Sequence, residues 1–180
     1  MTIFQQHLLR NSQVIVAAFL FGVISFTVVA AVVGPLHAPP PGTPPATAAT
    51  VSTPLGQFDP FLLALFAMIA AQLPVFFAIH SFFNRTATQA VTRHADDPEV
   101  RDATLSRIWM SSTICRAALG EGAGLFGAVI LLLRGEQLAL VGVAFAAIVL
   151  LGVFPTRGRL ETFIERAVRR GAEHPGNLTR

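Results

Sequence analysis

The sequence is short of charge. Of its 180 residues only 13% are Asp, Glu, Lys or Arg, against about 25% in soluble globular proteins. So few charges cannot cover a surface that faces water, whereas a surface that faces lipid does not need them. Lysine is absent, so all 13 basic residues are Arg, which reads as a coding preference. The single cysteine, Cys115, excludes an intramolecular disulfide and a cysteine-based metal cluster. It falls in an apolar run, where cysteine behaves as a small apolar side chain. There is no G-x-S-x-G, no H-E-x-x-H, no glycine loop with P-loop spacing and no pair of histidines at ligand spacing. His7, His37, His80, His94 and His174 are too dispersed for one local haem or metal motif, although two spans can in principle each donate a ligand. No metal or other cofactor is therefore expected. The chain reads as non-catalytic, with a membrane enzyme built from scattered residues left open. No basic patch interleaved with aromatics is present, so nucleic acid is not an expected partner.

What the chain has is apolar length. It is 53% hydrophobic with a mean hydropathy of +0.61, and the apolar residues gather into four runs over 14–33, 60–83, 108–133 and 138–154. Twenty residues at about 1.5 Å each cross the roughly 30 Å hydrocarbon core. The expected fold is all-α, a four-helix transmembrane bundle over 1–155, followed by a tail over 156–180. The first run exceeds the roughly 7–15 apolar residues of a signal peptide, which favours an uncleaved span. Ala30, Ala31 and Ala38 keep a cleavage site open. The fourth run is slightly short, which fits an upright helix or one whose partners thin the bilayer.

The arginines orient the bundle. Arg85, Arg93, Arg101 and Arg107 lie between spans two and three, and Arg157, Arg159, Arg166, Arg169, Arg170 and Arg180 follow span four. Arg10 precedes span one. Cationic loops stay on the cytoplasmic side, so both termini are expected inside, in the inner membrane. The uncharged, Pro-, Ala- and Thr-rich loop over 35–57 is then outside and extended. The short, tight turn at Arg134 is also outside.

Local signals refine the ends. Asp59-Pro60 and Asp97-Pro98-Glu99 both read as an N-cap followed by proline at the first helical position. The third helix therefore starts near Pro98 and enters the membrane at Trp109, a residue suited to anchor at the interface. In the tail, Leu160, Phe163, Ile164, Ala167 and Val168 share one face and the charged residues the other. This predicts an amphipathic helix ending at Gly171, lying on the inner membrane surface or packed on a partner protein.

Glu121 sits midway between Trp109 and Leu133. A charge at that depth costs roughly 2.5–3.5 kcal/mol and usually faces a bundle interior or a transport path. Arg116 lies nearer the interface, where a long side chain can snorkel to head groups. It falls about 140° round the helix from Glu121, a poor geometry for pairing. Glu121 is therefore expected to be protonated or to meet another helix. Gln72, beside the helix-kinking Pro74, is the best internal candidate. Ser25 and Thr27 lie at similar depth, and His80 is either a proton relay or a wetted interfacial group. Gly120, Gly124 and Gly127 form a small-residue stripe that lets another helix approach closely.

The stretch from Asp97 to Leu133 (DPEVRDATLSRIWMSSTICRAALGEGAGLFGAVILLL) resembles the proton-binding hairpin of the c (or K) subunit of rotary proton-translocating ATPases. Pro98-Glu99 matches the polar loop and Ala118-Leu119-Gly120-Glu121 the carboxylate region. The resemblance implies an ion-binding role for Glu121. Two functions are thus expected as alternatives. One is an accessory or structural subunit that packs in a membrane complex or homo-oligomer, with the bilayer and other subunits or a second copy as partners. The other is a proton- or cation-translocating component with Glu121, Gln72 and Arg116 as the candidate site.

Overall fold

The computed structural model describes residues 3–34 and 59–173. The loop expected over 35–57, with His37 and Ala38, and the chain beyond Glu173, with His174 and Arg180, lie outside the described residues. Five α-helices follow in order: α1 (Ile3–Val33), α2 (Pro60–Arg93), α3 (Pro98–Arg134), α4 (Leu140–Gly152) and α5 (Arg157–Glu173). All regular structure among the described residues is helical. Three of the helices are long and apolar enough to cross a membrane, and a fourth crossing is counted if α4 and α5 form one bent span. Large apolar side chains point outward on every long helix and on α4, among them Phe21, Val32, Phe77, Leu133 and Ile148. In water these would be a liability; against lipid they are the expected surface.

The helices start and stop where the capping chemistry says. The Asp59 carboxylate accepts from the N–H of Phe61 at 2.8 Å, and Pro60 occupies the first turn of α2. The Asp97 carboxylate accepts from the N–H groups of Glu99 and Val100, each at 3.1 Å, and starts α3 at Pro98. Gly135 ends α3 in the left-handed region at φ 66°, a conformation that glycine adopts without penalty.

Other boundaries differ from the sequence expectation: α1 already begins at Ile3, before the apolar run over 14–33, and α5 runs past Gly171 to Glu173. α2 continues ten residues past Phe83 to Arg93, leaving only His94–Asp97 as connection. The polar residues of this extension do not break it, because Thr86, Thr88 and Thr92 each donate to the carbonyl four residues earlier, while Ala87, Ala90 and Val91 are buried. α4 is shorter than expected. It has 13 residues, preceded by a 3-10 turn at Gln137–Ala139, so the α-helix itself rises only about 20 Å.

α3 is the axis of the bundle and packs against every other helix, whereas α1 and α2 scarcely touch each other. It runs parallel to α1 and antiparallel to α2 and α4. One apolar cluster, with Ala30, Leu62, Leu65, Ile130, Leu131 and Ala139, closes the end that holds Arg134. A second, with Val16, Val23, Ala117, Ala146 and Leu150, joins α1, α3 and α4 at mid-height. α5 turns 67° from α4 and lies across α2 and α3 at the basic end. Its apolar side rests on the chain itself, since Ala167 packs with Ala87, Ala90, Val91 and Leu105.

Candidate functional site

The inner face of α3 is used up within the chain. A methyl group placed on Gly120 would lie 2.6 Å from Cγ1 of Val149 in α4, and one on Gly124 2.6 Å from Cβ of Ala146 and 2.9 Å from Cγ1 of Val23. One on Gly127 would lie 3.3 Å from Cα of Gly142 and closer still to the carbonyl oxygen of Ala139. The helices that approach the stripe closely are therefore α4 and α1 of the same chain.

Glu121 lies about 100° round from Gly120, on the α1 flank. A methyl group on Gly22 would be 3.7 Å from its Oε1. Among the described residues Glu121 makes no hydrogen bond and no ion pair. Gln72 is buried on α2 and its Oε1 has no hydrogen-bond partner, so the two polar groups are not joined. Thr27 donates to the carbonyl of Val23 at 2.7 Å, within its own helix, and Ser25 is half-buried. Pro74 sits inside α2 without ending it.

Arg116 leaves α3 on the other flank. Its Nη2 lies 3.0 Å from Nδ1 of His80, while its Nε is buried without a partner. Both residues, with Trp109, line a cavity of about 480 Å³ bounded by α2, α3, the end of α4 and α5. Arg159, Arg166 and Arg170 of α5 complete its basic lining, and no Asp or Glu takes part. Arg159 donates to the carbonyl oxygens of Gly152 and Phe154. The three arginines recur at i, i+7 and i+11, one face of a helix. That spacing was visible in the sequence, but its convergence on Arg116 needed the 67° turn.

A second feature concerns the outer face of α3. Ser111, Cys115, Ala118 and Gly122 follow at i, i+4, i+7 and i+11, about 160–220° round from Gly120, and all four are exposed. A methyl group on Gly122 would meet nothing within 4 Å. Small-residue spacing marks both stripes in the sequence; only the positions of α1, α2 and α4 decide which one is filled. Among the described residues no group of three or more His, Cys, Asp or Glu is placed to hold a metal ion. No family model, curated protein or solved structure matches the chain.

Proposed function

We propose that this integral membrane protein is a non-catalytic packing subunit that receives a further transmembrane helix on the outer face of α3, from a second copy or from another subunit. The observation that supports this is the exposed stripe Ser111, Cys115, Ala118 and Gly122. Lipid tails are as apolar as any helix, so association in a bilayer depends on close backbone approach and interhelical polar contacts. Small side chains allow the first, and Glu121, on the border of the stripe, offers the second. In this reading the chain sits in the inner membrane with both termini and the arginine-rich end in the cytoplasm, as the distribution of arginine requires.

Cys115 makes the test direct, because it is the one cysteine of the chain and lies on the proposed face. Oxidative cross-linking in native membranes should give a disulfide-linked dimer if the partner is a second copy. With a different subunit, defined assemblies should survive mild detergent without that cross-link. In either case Gly122→Leu should abolish assembly at unchanged thermal stability. Assembly of Gly122→Leu at the wild-type level would overturn the reading.

A second reading, a proton- or cation-translocating component, is favoured by one observation: Glu121 has no hydrogen-bond or ion-pair partner among the described residues. The resemblance of residues 97–133 to the rotary-ATPase hairpin points the same way. A protonated intramembrane carboxyl reacts with carbodiimide and an ion-paired one does not, so absence of labelling at neutral pH would count against an exchangeable site.

A further inference from the structure

The cavity at the basic end is lined by arginine and by no acidic residue. We infer that it binds a phosphate group, carried on a lipid head group or present as free phosphate. Four guanidinium groups line it, those of Arg116, Arg159, Arg166 and Arg170, with no carboxylate among them. Like charges gathered around one space repel, and the cost is greatest at Arg116, which is partly buried, whereas Arg159, Arg166 and Arg170 are exposed.

Neither Glu161 nor Glu165 of α5 lines the cavity. Glu161 pairs with Arg157 at 2.7 Å, and Glu165 is exposed. Among the described residues neither Arg166 nor Arg170 makes an ion pair. Arg159 is held by carbonyl oxygens alone, and Arg116 by the neutral acceptor Nδ1 of His80, with its Nε buried and unbonded.

The chemistry of the wall selects among anions. Arginine presents planar, forked donors that match phosphate oxygens in pairs. A tetrahedral phosphate can face several such forks at once, and a planar carboxylate fewer. About 480 Å³ is within the usual range of small-ligand sites, roughly 300–1,000 Å³, and accommodates a phosphate with a glycerol-sized substituent. Trp109 stands in the wall, and an indole ring is at home at the head-group level. The first turn of α5, with Gly158 and Arg159, also borders the space.

Trp109 is the one tryptophan of the chain, so its emission reads the cavity directly. The full chain in phosphatidylcholine nanodiscs is titrated in three arms with phosphatidic acid, inorganic phosphate and oleate. Saturable change with phosphatidic acid alone assigns a lipid head group, and an equal change with inorganic phosphate assigns the free anion. Either supports the site. Affinity should fall about a hundredfold or more in Arg166→Gln/Arg170→Gln, since two charge-assisted contacts are lost together. Arg93→Gln, exposed and outside the cavity, should leave affinity unchanged. Added salt should weaken wild-type binding, a readout that needs no variant. Three results would each overturn the proposal: no response to phosphatidic acid or inorganic phosphate, an equally strong response to oleate, or salt-independent binding.

Discussion

Nη2 of Arg116 stands 3.0 Å from Nδ1 of His80, across the interface between α3 and α2. A guanidinium only donates, so Nδ1 must accept and the neutral ring carries its proton on Nε2. Nδ2 of Asn84 is placed 2.9 Å from that nitrogen, and with the amide flipped its oxygen accepts the Nε2 proton. A chain Arg116–His80–Asn84 therefore ties the two long helices at the basic end. Arg116 is apart from Glu121, which lies about 140° round α3 beside Gly22.

The first prediction tests that tie. His80→Phe removes the acceptor and leaves a guanidinium whose Nε is already buried and unbonded. Such a loss costs about 1–3 kcal/mol. Unfolding in mixed detergent should show that decrease, with a smaller one for Asn84→Leu. Wild-type stability in His80→Phe would mean that Arg116 is satisfied by head groups instead.

The two small-residue stripes should respond oppositely. Gly124→Ala places a methyl group 2.6 Å from Cβ of Ala146, so α3 and α4 must separate, at about 1–3 kcal/mol. Gly122→Ala meets open space and should be neutral, or stabilising by up to about 1 kcal/mol as the backbone loses freedom in the unfolded chain. Melting curves of the two variants side by side check the contrast. Equal destabilisation would contradict this assignment of inner and outer faces.

At the other end Asp59 and Arg134 have two tasks each. Asp59 caps α2 and lies 3.5 Å from Nη1 of Arg134, whose guanidinium also stacks over Phe61 at 4.8 Å. Loss of a cap costs about 0.5–2 kcal/mol, whereas an exposed ion pair contributes about 0–1 kcal/mol. Asp59→Ala should therefore destabilise more than Arg134→Ala in chemical denaturation. The reverse order would show that the arginine, through the Phe61 ring, is the main clamp.

The helical content was legible in the sequence because it rests on local chemistry. Asp59-Pro60, Asp97-Pro98 and Gly135 set helix ends by capping, and the apolar runs set which helices can cross a bilayer. The extension of α2 to Arg93 was not legible. Asn84–Arg93 is polar enough to read as loop, and its helix is held by burial of Ala87, Ala90 and Val91 under residues far away in sequence. The candidate site divides in the same manner. The depth of Glu121 and the spacing of Gly120, Gly124 and Gly127 follow from counting along one helix. The choice of His80 for Arg116, the separation of Gln72 from Glu121 and the arginine-lined cavity depend on how helices are placed around α3. No local pattern encodes that placement.

The docking of α5 gives the last prediction. Leu160 and Ala167 are buried, and Phe163, Ile164 and Val168 pack against α2 and α3, so the apolar side of this amphipathic helix is covered by protein. Gly171 is a point of close approach. A methyl group there would lie 2.6 Å from Cγ1 and 3.1 Å from Cβ of Val91. Val91 is β-branched and buried, with little rotamer freedom to yield, so a larger residue must displace the helix. Gly171→Leu should therefore lift α5 from α2 and open the arginine-lined cavity while α1 to α4 remain folded. Trypsin should then cut at Arg159, Arg166 and Arg170 about tenfold faster, because cleavage follows the population of the open form and about 1.4 kcal/mol of lost docking shifts it by that factor. Unchanged cleavage would mean that α5 is held from its other end, by Arg159 on the Gly152 and Phe154 carbonyls.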